Sequence, residues 1–276
     1  MTRPAETQAA DAHAAVASNP FWYHTLEVAP GVVTPGWFDL RPIVHRMPWP
    51  DVRGKRCLDV GTSDGFLAFE LEKRGASEVV AADLADHERW DWPAGLRARG
   101  VEYLRSAAGP EKGVGLRVAK QLLKSGVEPA HISAYDLSPE KVGEFDVVVC
   151  GSLLLHLRDP LRALAAIRSV CKESFLCTNQ IDVGLTVVGR RAPLARFHGT
   201  EDTCQWWVPN PRGHRHMLAA AGFGIEGQSR PYAIPFGKGH SPLSRSPRAL
   251  ASKVARRMLA GNDGVPHHAV LARPAA

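Results

Sequence analysis

Short apolar runs alternate with amphipathic segments along residues 56–181. Runs of this length, bounded by polar residues and glycines, are typical of buried strands. In chain order, the predicted strands are RCLDV, SEVVAADL with Asp83 at its end, HISAYDL, EFDVVVCGSLLLHL and SFLCTNQI.

The segments between these runs carry helix signals. In GFLAFELEKRG, Phe66, Leu67, Phe69 and Leu71 recur at helical spacing, and Gly75 stops the helix. Further helices are predicted near Glu111–Lys124, in DPLRALAAIRSVCKE with Asp159 as cap and Pro160 in the first turn, and in HRHMLAAAGF, which Gly222 closes.

Alternation of strands and helices predicts an α/β fold, a doubly wound and mostly parallel sheet covered by helices on both faces. Two later apolar segments, GIEGQSRPYAI and HHAVLARP, are expected to add a C-terminal strand pair. We expect residues 1–18 to form a disordered tail, residues 19–50 an aromatic N-terminal cap, and residues 51–276 the main domain. The connection between the fifth strand and HRHMLAAAGF is long enough to cover a site.

Composition narrows the class of protein. No apolar run reaches the roughly 18 residues that a membrane span needs, and the N-terminal residues do not form a secretory signal. The five cysteines form no C-x-x-C pair, as expected for reduced thiols of a cytoplasmic protein.

The positive charge is concentrated in one segment of the chain. The net charge is +6, and Arg230–Asn262 alone holds seven basic residues and no acid. This basic insertion, placed at 235–263, is either a solvated surface segment or an arm for phosphates.

The turn DVGTSDG after the first predicted strand is suited to a nucleotide. Gly61 lets the chain reverse, and Gly65 lets the following helix start close to the sheet. Ser63 stands where a dinucleotide fingerprint has its middle glycine, so a pyrophosphate is disfavoured. Asp83 follows Gly65 by 18 residues, a position from which a carboxylate accepts ribose hydroxyls, although a helix cap would use the same residue.

In order and spacing, LDVGTSDGF, VVAADL, SAYDL and FDVVVCGSLLLHLRDP resemble the class I S-adenosylmethionine-dependent methyltransferases over about residues 55–181. The resemblance implies S-adenosyl-L-methionine as cofactor and a Rossmann-like, seven-stranded sheet with an antiparallel C-terminal strand pair. It also implies cofactor-binding roles for Asp59, Gly61, Ser63 and Gly65 in the first turn, Asp83 at the ribose, Asp136 at the adenine amino group, and Leu84 and Leu137 on the adenine faces.

Over residues 21–223 the chain also resembles the group that contains tRNA wobble-uridine carboxymethyltransferases and related bacterial small-molecule methyltransferases. About 50 residues precede the first predicted strand, fewer than the extension that the tRNA enzymes usually carry. An RNA substrate is therefore disfavoured in comparison with a small molecule.

Two histidines are candidates for a catalytic base, which methyl transfer to a hydroxyl requires. His156 follows the fourth predicted strand, so it is expected at the carboxyl ends of the strands, the edge of the sheet where ligands bind. His24 lies among aromatic residues, with Glu27 one helical turn later if that segment is helical. Each of the two also has a purely structural interpretation, as a packing or capping histidine.

Other polar and aromatic residues are candidates for the acceptor site. Aromatic rings at a cleft stack on a substrate or exclude water, although they can equally form a small core of the cap. The set comprises Tyr23, Trp37 and Phe38 in the cap, Asn179 and Asp182 after the fifth strand, and Trp206, Trp207 and Asn210 in the long connection. His214 and His216 are too few, and too far apart on a helix, to predict a metal.

The sequence thus predicts an S-adenosylmethionine-dependent enzyme that methylates an oxygen of a small polar metabolite, such as a sugar or a glycosylated natural product. The alternatives are a methyl or carboxymethyl transferase acting on a tRNA wobble uridine, and a binding module that retains the fold without catalysis. The expected partner is a small-molecule acceptor, without a membrane, and the sequence indicates no oligomeric state.

Overall fold

The computed structural model describes residues 5–109, 111–189, 191–199, 204–241 and 256–275. Its strands are β1 (Glu27–Ala29), β2 (Val32–Val33), β3 (Arg56–Val60), β4 (Glu78–Asp83), β5 (Glu128–His131), β6 (Phe145–Gly151), β7 (Cys171–Gln180), β8 (Ala195–Phe197), β9 (Trp207–Pro209), β10 (Phe223–Gln228), β11 (Tyr232–Ile234) and β12 (Val265–Pro274). Its helices are α1 (Ala5–Ser18), α2 (Phe66–Lys73), α3 (Ala94–Arg97), α4 (Val101–Ala108), α5 (Val114–Leu123), α6 (Pro139–Val142), α7 (Pro160–Val170), α8 (Val183–Val188) and α9 (Pro211–Ala220).

The main sheet has the order β10-β12-β7-β6-β3-β4-β5, and β11 also pairs with β12. Strands β3 to β7 are parallel, whereas β12 runs antiparallel to β7. The predicted Rossmann-like sheet is confirmed, with one difference at its edge. The segment GIEGQSRPYAI forms two strands that share the outer edge of β12, because Pro231 lacks the N–H that a continuous ladder would need.

Successive residues of the central strands point to opposite faces and feed two cores. On one face, Cys57 and Val149 pack with α2, α5 and the N-terminal segment; on the other, Leu58 and Val148 pack with α7 and α9. The chain leaves β3 toward β4 and later returns to the other side of β3 through β6. Such a switch point opens a crevice at the carboxyl ends of the strands, where ligands of open α/β sheets bind.

The N-terminal segment differs from the prediction. Residues 5–18 of the expected disordered tail form helix α1, while residues 1–4 lie outside the described part of the chain. The alanine-rich sequence favours a helix, and Ala12 and Val16, four residues apart, are buried against the neighbouring elements. The indole N–H of Trp22 donates to the carbonyl of Val16 at 3.0 Å, which ties the helix to the cap.

The third predicted strand is displaced. HISAYDL was expected to be extended through Asp136, but β5 ends at His131. The next residues turn, since the N–H of Asp136 donates to the carbonyl of Ser133 at 2.9 Å and the Ser133 hydroxyl accepts the N–H of Tyr135. Serine favours such turns by bonding the nearby backbone. Asp136 therefore does not stand at a strand end.

The aromatic cap, residues 19–50, lies against the ligand edge of the sheet. It contains the β1–β2 hairpin, and Phe38 forms isolated bridges to both His24 and Phe236. About half of the basic insertion, residues 242–255, lies outside the described residues. Among the helices in the described ranges, none is both long and apolar enough to cross a membrane.

Candidate active site

The turn between β3 and α2 has a left-handed backbone at three residues. Gly61, Ser63 and Gly65 have φ values of +79°, +51° and +91°. This region suits glycine and is uncommon for serine. At Gly65 a side chain would also collide with packed neighbours, because an added Cβ would lie 2.6 Å from Cδ1 of Leu116 and 2.7 Å from Cε2 of Phe69. Gly65 thus serves helix packing, whereas Gly61 and Ser63 line cavities.

Asp83 ends β4 beside this turn. Its Oδ2 accepts the backbone N–H of Ser63 at 2.9 Å, and its Oδ1 accepts the N–H of Leu84 at 2.7 Å. The Lys112 ammonium lies 3.0 Å from Oδ1, with only 10% of its side chain exposed. Because each carboxylate oxygen carries two lone pairs, Asp83 retains capacity for a further donor.

Three adjoining cavities surround this edge of the sheet. The Asp83 cavity, about 120 Å³, is lined by Gly61, Ser63, Asp83 and Leu84; the Asp59 cavity, about 210 Å³, by Asp59, Thr62, Ser152 and His267; and the tryptophan cavity, about 360 Å³, by Trp37, Trp90 and Trp92. Tyr23 and His156 line all three. The largest cavity alone reaches the size range of small-molecule sites, roughly 300–1,000 Å³.

His156 lies at the centre of this system, in a short 3₁₀ turn after β6. Its Nδ1 lies 2.8 Å from the carbonyl oxygen of Cys204. A carbonyl only accepts, so Nδ1 carries the proton in the neutral ring and Nε2 keeps its lone pair. Burial lowers the pKa of His156, but the attraction and hydrogen bonding of Cys204 outweigh burial, and the net pKa is raised. The neutral ring of His156 therefore has its acceptor lone pair on Nε2, and its pKa is raised, which are the properties of a candidate general base.

His24 has a different environment. Burial lowers its pKa to about 3. Its Nδ1 is buried and has no hydrogen-bond partner among the described residues. The backbone N–H groups of Tyr23 and His24 both donate to Oδ2 of Asp64, at 2.5 and 2.9 Å, which ties the cap to the glycine turn. His24 faces the Asp83 and Asp59 cavities, but it is a far weaker base than His156.

Asp59 lies deep at the end of β3, with 1% of its surface exposed. Its Oδ2 accepts the hydroxyl of Thr62 at 2.7 Å. Burial raises the pKa of Asp59 to about 7, with a smaller contribution from the negative charge of Asp83, against the hydrogen bond from Thr62. A positively charged ligand group beside Asp59 would stabilise the ionised form of its carboxyl group.

The structure brings together part of the predicted cofactor set. Asp59, Gly61, Ser63, Asp83 and Leu84 line the Asp83 or Asp59 cavity. Three predicted residues do not line these cavities: Gly65, which packs against Leu116 and Phe69, and also Asp136 and Leu137. The carboxylate of Asp136 faces Arg89 at 3.6 Å and lines none of the three cavities, and Leu137 is buried in the core beside α7. Their displacement follows from the early end of β5, and Ile132, Ser133 and Ala134 line the Asp83 cavity in their place.

Some of the predicted acceptor residues line one of the three cavities, and others do not. Tyr23, Trp37 and Phe38 line cavities, whereas none of the three cavities is lined by Asn179, Asp182, Trp206, Trp207 or Asn210. The indole N–H groups of Trp206 and Trp207 donate to the carbonyls of Asp91 and Arg158. Asn179 is fully buried in β7, and its amide has no hydrogen-bond partner in the described ranges.

Asp182 and Asn210 instead begin helices. The carboxylate of Asp182 accepts the N–H of Leu185 at the start of α8 and pairs with Arg196. The Asn210 side chain accepts the N–H of Gly213 at the start of α9, and its amide donates to the carbonyls of Gly189 and Ala192. These contacts correspond to the capping and turn-forming interpretation rather than to substrate contacts.

Several cavity residues were not singled out from the sequence. They are Trp90, Lys112, Ser152, Cys204, Gln205, His240 and His267. For Ser152 a signal existed, since it lies in the second half of the predicted fourth strand, EFDVVVCGSLLLHL, whose carboxyl end was expected near the ligand. His267 carried no such signal, because its position depends on the pairing of β12 with β7, where it lies opposite Gln180. Within the described ranges, no group of three or more metal-ligating residues is placed to hold a metal ion.

Comparisons with known proteins agree with this geometry. Residues 39–225, more than half of the chain, match the family described as "Methyltransferase domain". The ubiquinone biosynthesis O-methyltransferase of Chromobacterium violaceum is 29% identical over an alignment of 203 residues, and the match covers 70% of this chain and 72% of that protein. A tRNA U34 carboxymethyltransferase of Campylobacter hominis is 28% identical over 138 residues, but the match spans 49% of this chain and only 40% of that protein. The YcgJ protein of Bacillus subtilis shares the fold, with a TM-score of 0.52 at 15% identity over 82% of this chain and 94% of that one.

The residues present fit the cofactor that the motifs imply. S-adenosylmethionine needs an acceptor for its ribose hydroxyls, apolar walls for its adenine and an acceptor for its ammonium, but no cradle for phosphates. Asp83, the apolar wall with Leu84 and Ile132, and Asp59 are groups of these kinds, and they surround a turn whose left-handed positions are Gly61, Ser63 and Gly65. The chain belongs to the methyltransferase-domain family and is a class I S-adenosylmethionine-dependent methyltransferase.

Proposed function

We propose that the enzyme methylates a hydroxyl oxygen of a small ring-containing metabolite and that His156 is the base. A sugar or a glycosylated natural product is the acceptor class that the sequence favours. The observation that carries the proposal is the position of His156: its side chain lines all three cavities, and its Nδ1 bonds the Cys204 carbonyl, which leaves Nε2 as the acceptor of the neutral ring.

When bound, S-adenosylmethionine supplies a methyl group on a positively charged sulfur, which leaves as a neutral thioether. The protein then has to orient the acceptor and remove one proton, because a hydroxyl oxygen attacks well only as it loses its proton. Nε2 of His156 accepts that proton, and the imidazolium that forms is stabilised by Cys204, whose own pKa is lowered by His156 despite burial.

The tryptophan cavity is the expected acceptor site. Trp90 and Trp92 stack at 5.1 Å between ring centroids, and Phe21 and Trp37 meet edge to face at the same distance. Lys112, Glu111 and Gln205 add a few polar groups to these apolar walls. Ring faces of this kind bind flat surfaces and exclude water, and the few polar groups fix orientation. The name of the Chromobacterium relative, an O-methyltransferase, agrees with oxygen as the acceptor atom.

The test is an acceptor panel in which formation of S-adenosylhomocysteine is measured. The panel contains methyl glycosides, a glycosylated aromatic compound, hydroxybenzoates, matched amines and a tRNA transcript. The proposal expects turnover with a hydroxyl compound, and turnover of that compound should fall on His156→Asn substitution. Turnover restricted to the amines or to the tRNA transcript would contradict the proposal, and the second of these results would restore the tRNA alternative.

A further inference from the structure

A serine and a histidine on different strands form a fixed pair at the wall of the Asp59 cavity. Ser152 directly follows β6, and His267 lies near the start of β12. The hydroxyl of Ser152 lies 2.8 Å from Nε2 of His267, and Nδ1 of His267 lies 2.8 Å from the carbonyl oxygen of Val265. Both side chains line the Asp59 cavity.

The direction of each hydrogen bond follows from this geometry. The carbonyl of Val265 only accepts, so Nδ1 of His267 carries the ring proton and Nε2 is an acceptor. The Ser152 hydroxyl must therefore donate its proton to Nε2. Burial lowers the pKa of His267 to about 4, so the ring stays neutral at pH 7 and this arrangement persists. The ring is further held by the buried Tyr232, which stacks on it at 6.2 Å between centroids.

A serine hydroxyl whose proton is committed in this way offers only lone pairs to the cavity. Ser152 has a φ of +53°, a conformation that non-glycine residues seldom adopt, and this conformation places the hydroxyl at the switch point of the sheet. The Asp59 carboxyl lines the same cavity. The Asp59 cavity therefore presents both a carboxylate and an acceptor-only hydroxyl, a combination that suits a ligand group with several N–H donors and a positive charge.

We propose that Ser152 accepts a hydrogen bond from the α-ammonium of the cofactor, with His267 as the positioning residue that fixes the direction of the Ser152 hydroxyl. The cofactor's sulfonium and ribose do not require this pair. The proposal concerns only the amino-acid tail, and it does not depend on the identity of the methyl acceptor.

The experiment compares three adenosyl thioethers, whose sulfur atom is uncharged, by calorimetry at pH 7.5. S-adenosylhomocysteine carries the full tail, 4-(5′-adenosylthio)butanoate keeps the carboxylate but lacks the amine, and 5′-methylthioadenosine lacks the tail. We expect Ser152→Ala to weaken S-adenosylhomocysteine binding about tenfold or more, as for a lost hydrogen bond to a charged group. Binding of the other two ligands should change less than twofold.

Ser152→Gly is the matched variant, because glycine tolerates the left-handed backbone and removes the hydroxyl without strain. It should give the same ligand-selective loss with unchanged thermal unfolding. His267→Phe keeps the stack on Tyr232 and should give a smaller loss, again confined to S-adenosylhomocysteine. Equal weakening of all three ligands, no weakening of any, or a wild-type enzyme that binds the deaminated ligand as tightly as S-adenosylhomocysteine would each overturn the proposal.

Discussion

The ammonium of Lys112 lies 3.0 Å from Oδ1 of Asp83, inside the cavity where the ribose of the cofactor is expected to bind. The same ammonium lies 4.7 Å from the centroid of the Trp90 ring, in the wall of the tryptophan cavity. One cation thus contacts the cofactor side and the acceptor side of the site. Cofactor binding at Asp83 must share this ion pair or displace Lys112, which couples the two cavities through a single side chain.

Replacing Asp83 is expected to weaken cofactor binding. Asp83→Ala removes the acceptor for the ribose and the anchor of the Ser63 N–H, so we expect a loss on the order of 2–3 kcal/mol, or about 30- to 150-fold in affinity for S-adenosylhomocysteine. Asp136→Ala is the matched control, since that carboxylate lines none of the three cavities. Calorimetry that found equal losses for both variants would restore the adenine contact predicted for Asp136.

The two candidate bases are distinguished by asparagine substitutions. His156→Asn retains a donor toward the Cys204 carbonyl but lacks Nε2, so kcat should fall by about 10²- to 10⁴-fold. His24→Asn should reduce kcat much less, because the low pKa of His24 makes it a weak base. Single-turnover rates with the best acceptor from the panel decide between them, and a larger effect at His24 would reverse the assignment.

The pH dependence of turnover should depend on Cys204. His156 acts as a base only when neutral, so kcat/KM should fall as pH drops below the pKa of His156, which Cys204 helps to raise. Cys204→Ser removes the thiol that stabilises the imidazolium, and the acidic limb should then move to lower pH. Profiles of kcat/KM from pH 5 to 9 for the wild type and the variant compare the two acidic limbs directly. An unmoved limb would show that Cys204 does not control the basicity of the catalytic group.

Cofactor affinity should rise with pH near neutrality. In the free protein the pKa of Asp59 is raised to about 7, so the carboxyl is largely neutral at pH 6 and charged at pH 8. A ligand ammonium binds the charged form, so S-adenosylhomocysteine binding should tighten over this range and release a proton near pH 6. Calorimetry in buffers of different ionisation enthalpy measures that proton, and Asp59→Asn should abolish both effects. A wild-type affinity that does not change between pH 6 and 8 would contradict the assignment.

The parallel strands and the glycine turn were predictable because their signals are local. Apolar runs, an acid after a strand and glycines at fixed spacing identify β3, β4 and the turn that carries Ser63. The contacts of Asp136 were not predictable in this way, since one serine-based turn ended β5 early. His267 and Lys112 reach the site through strand pairing and through the packing of distant segments, which periodicity does not encode.

The sequence around Asn210 fits two interpretations, a helix cap and an acceptor-binding residue. The stretch NPRG places a capping residue before a proline, the arrangement that begins α9. Its aromatic neighbours instead suggested a role in acceptor binding. The structure buries Asn210 completely among backbone groups.

Asn210→Ala is therefore expected to affect stability rather than recognition. Loss of the cap and of two buried donor contacts should lower the free energy of unfolding by about 2–4 kcal/mol. Denaturant unfolding measures this change, and the acceptor KM of the folded fraction should remain within twofold of wild type. Unchanged stability together with a raised acceptor KM would favour the original substrate-binding prediction.

The central claim is that the edge of the sheet holds an adenosyl thioether or sulfonium between Asp83 and His156. A crystal structure of the complex with S-adenosylhomocysteine tests it most directly. We expect the ribose hydroxyls on the Asp83 carboxylate, the ammonium near Asp59 and Ser152, and the sulfur facing Nε2 of His156. A ligand bound elsewhere, with Asp83 still paired only to Lys112 and the backbone, would contradict it.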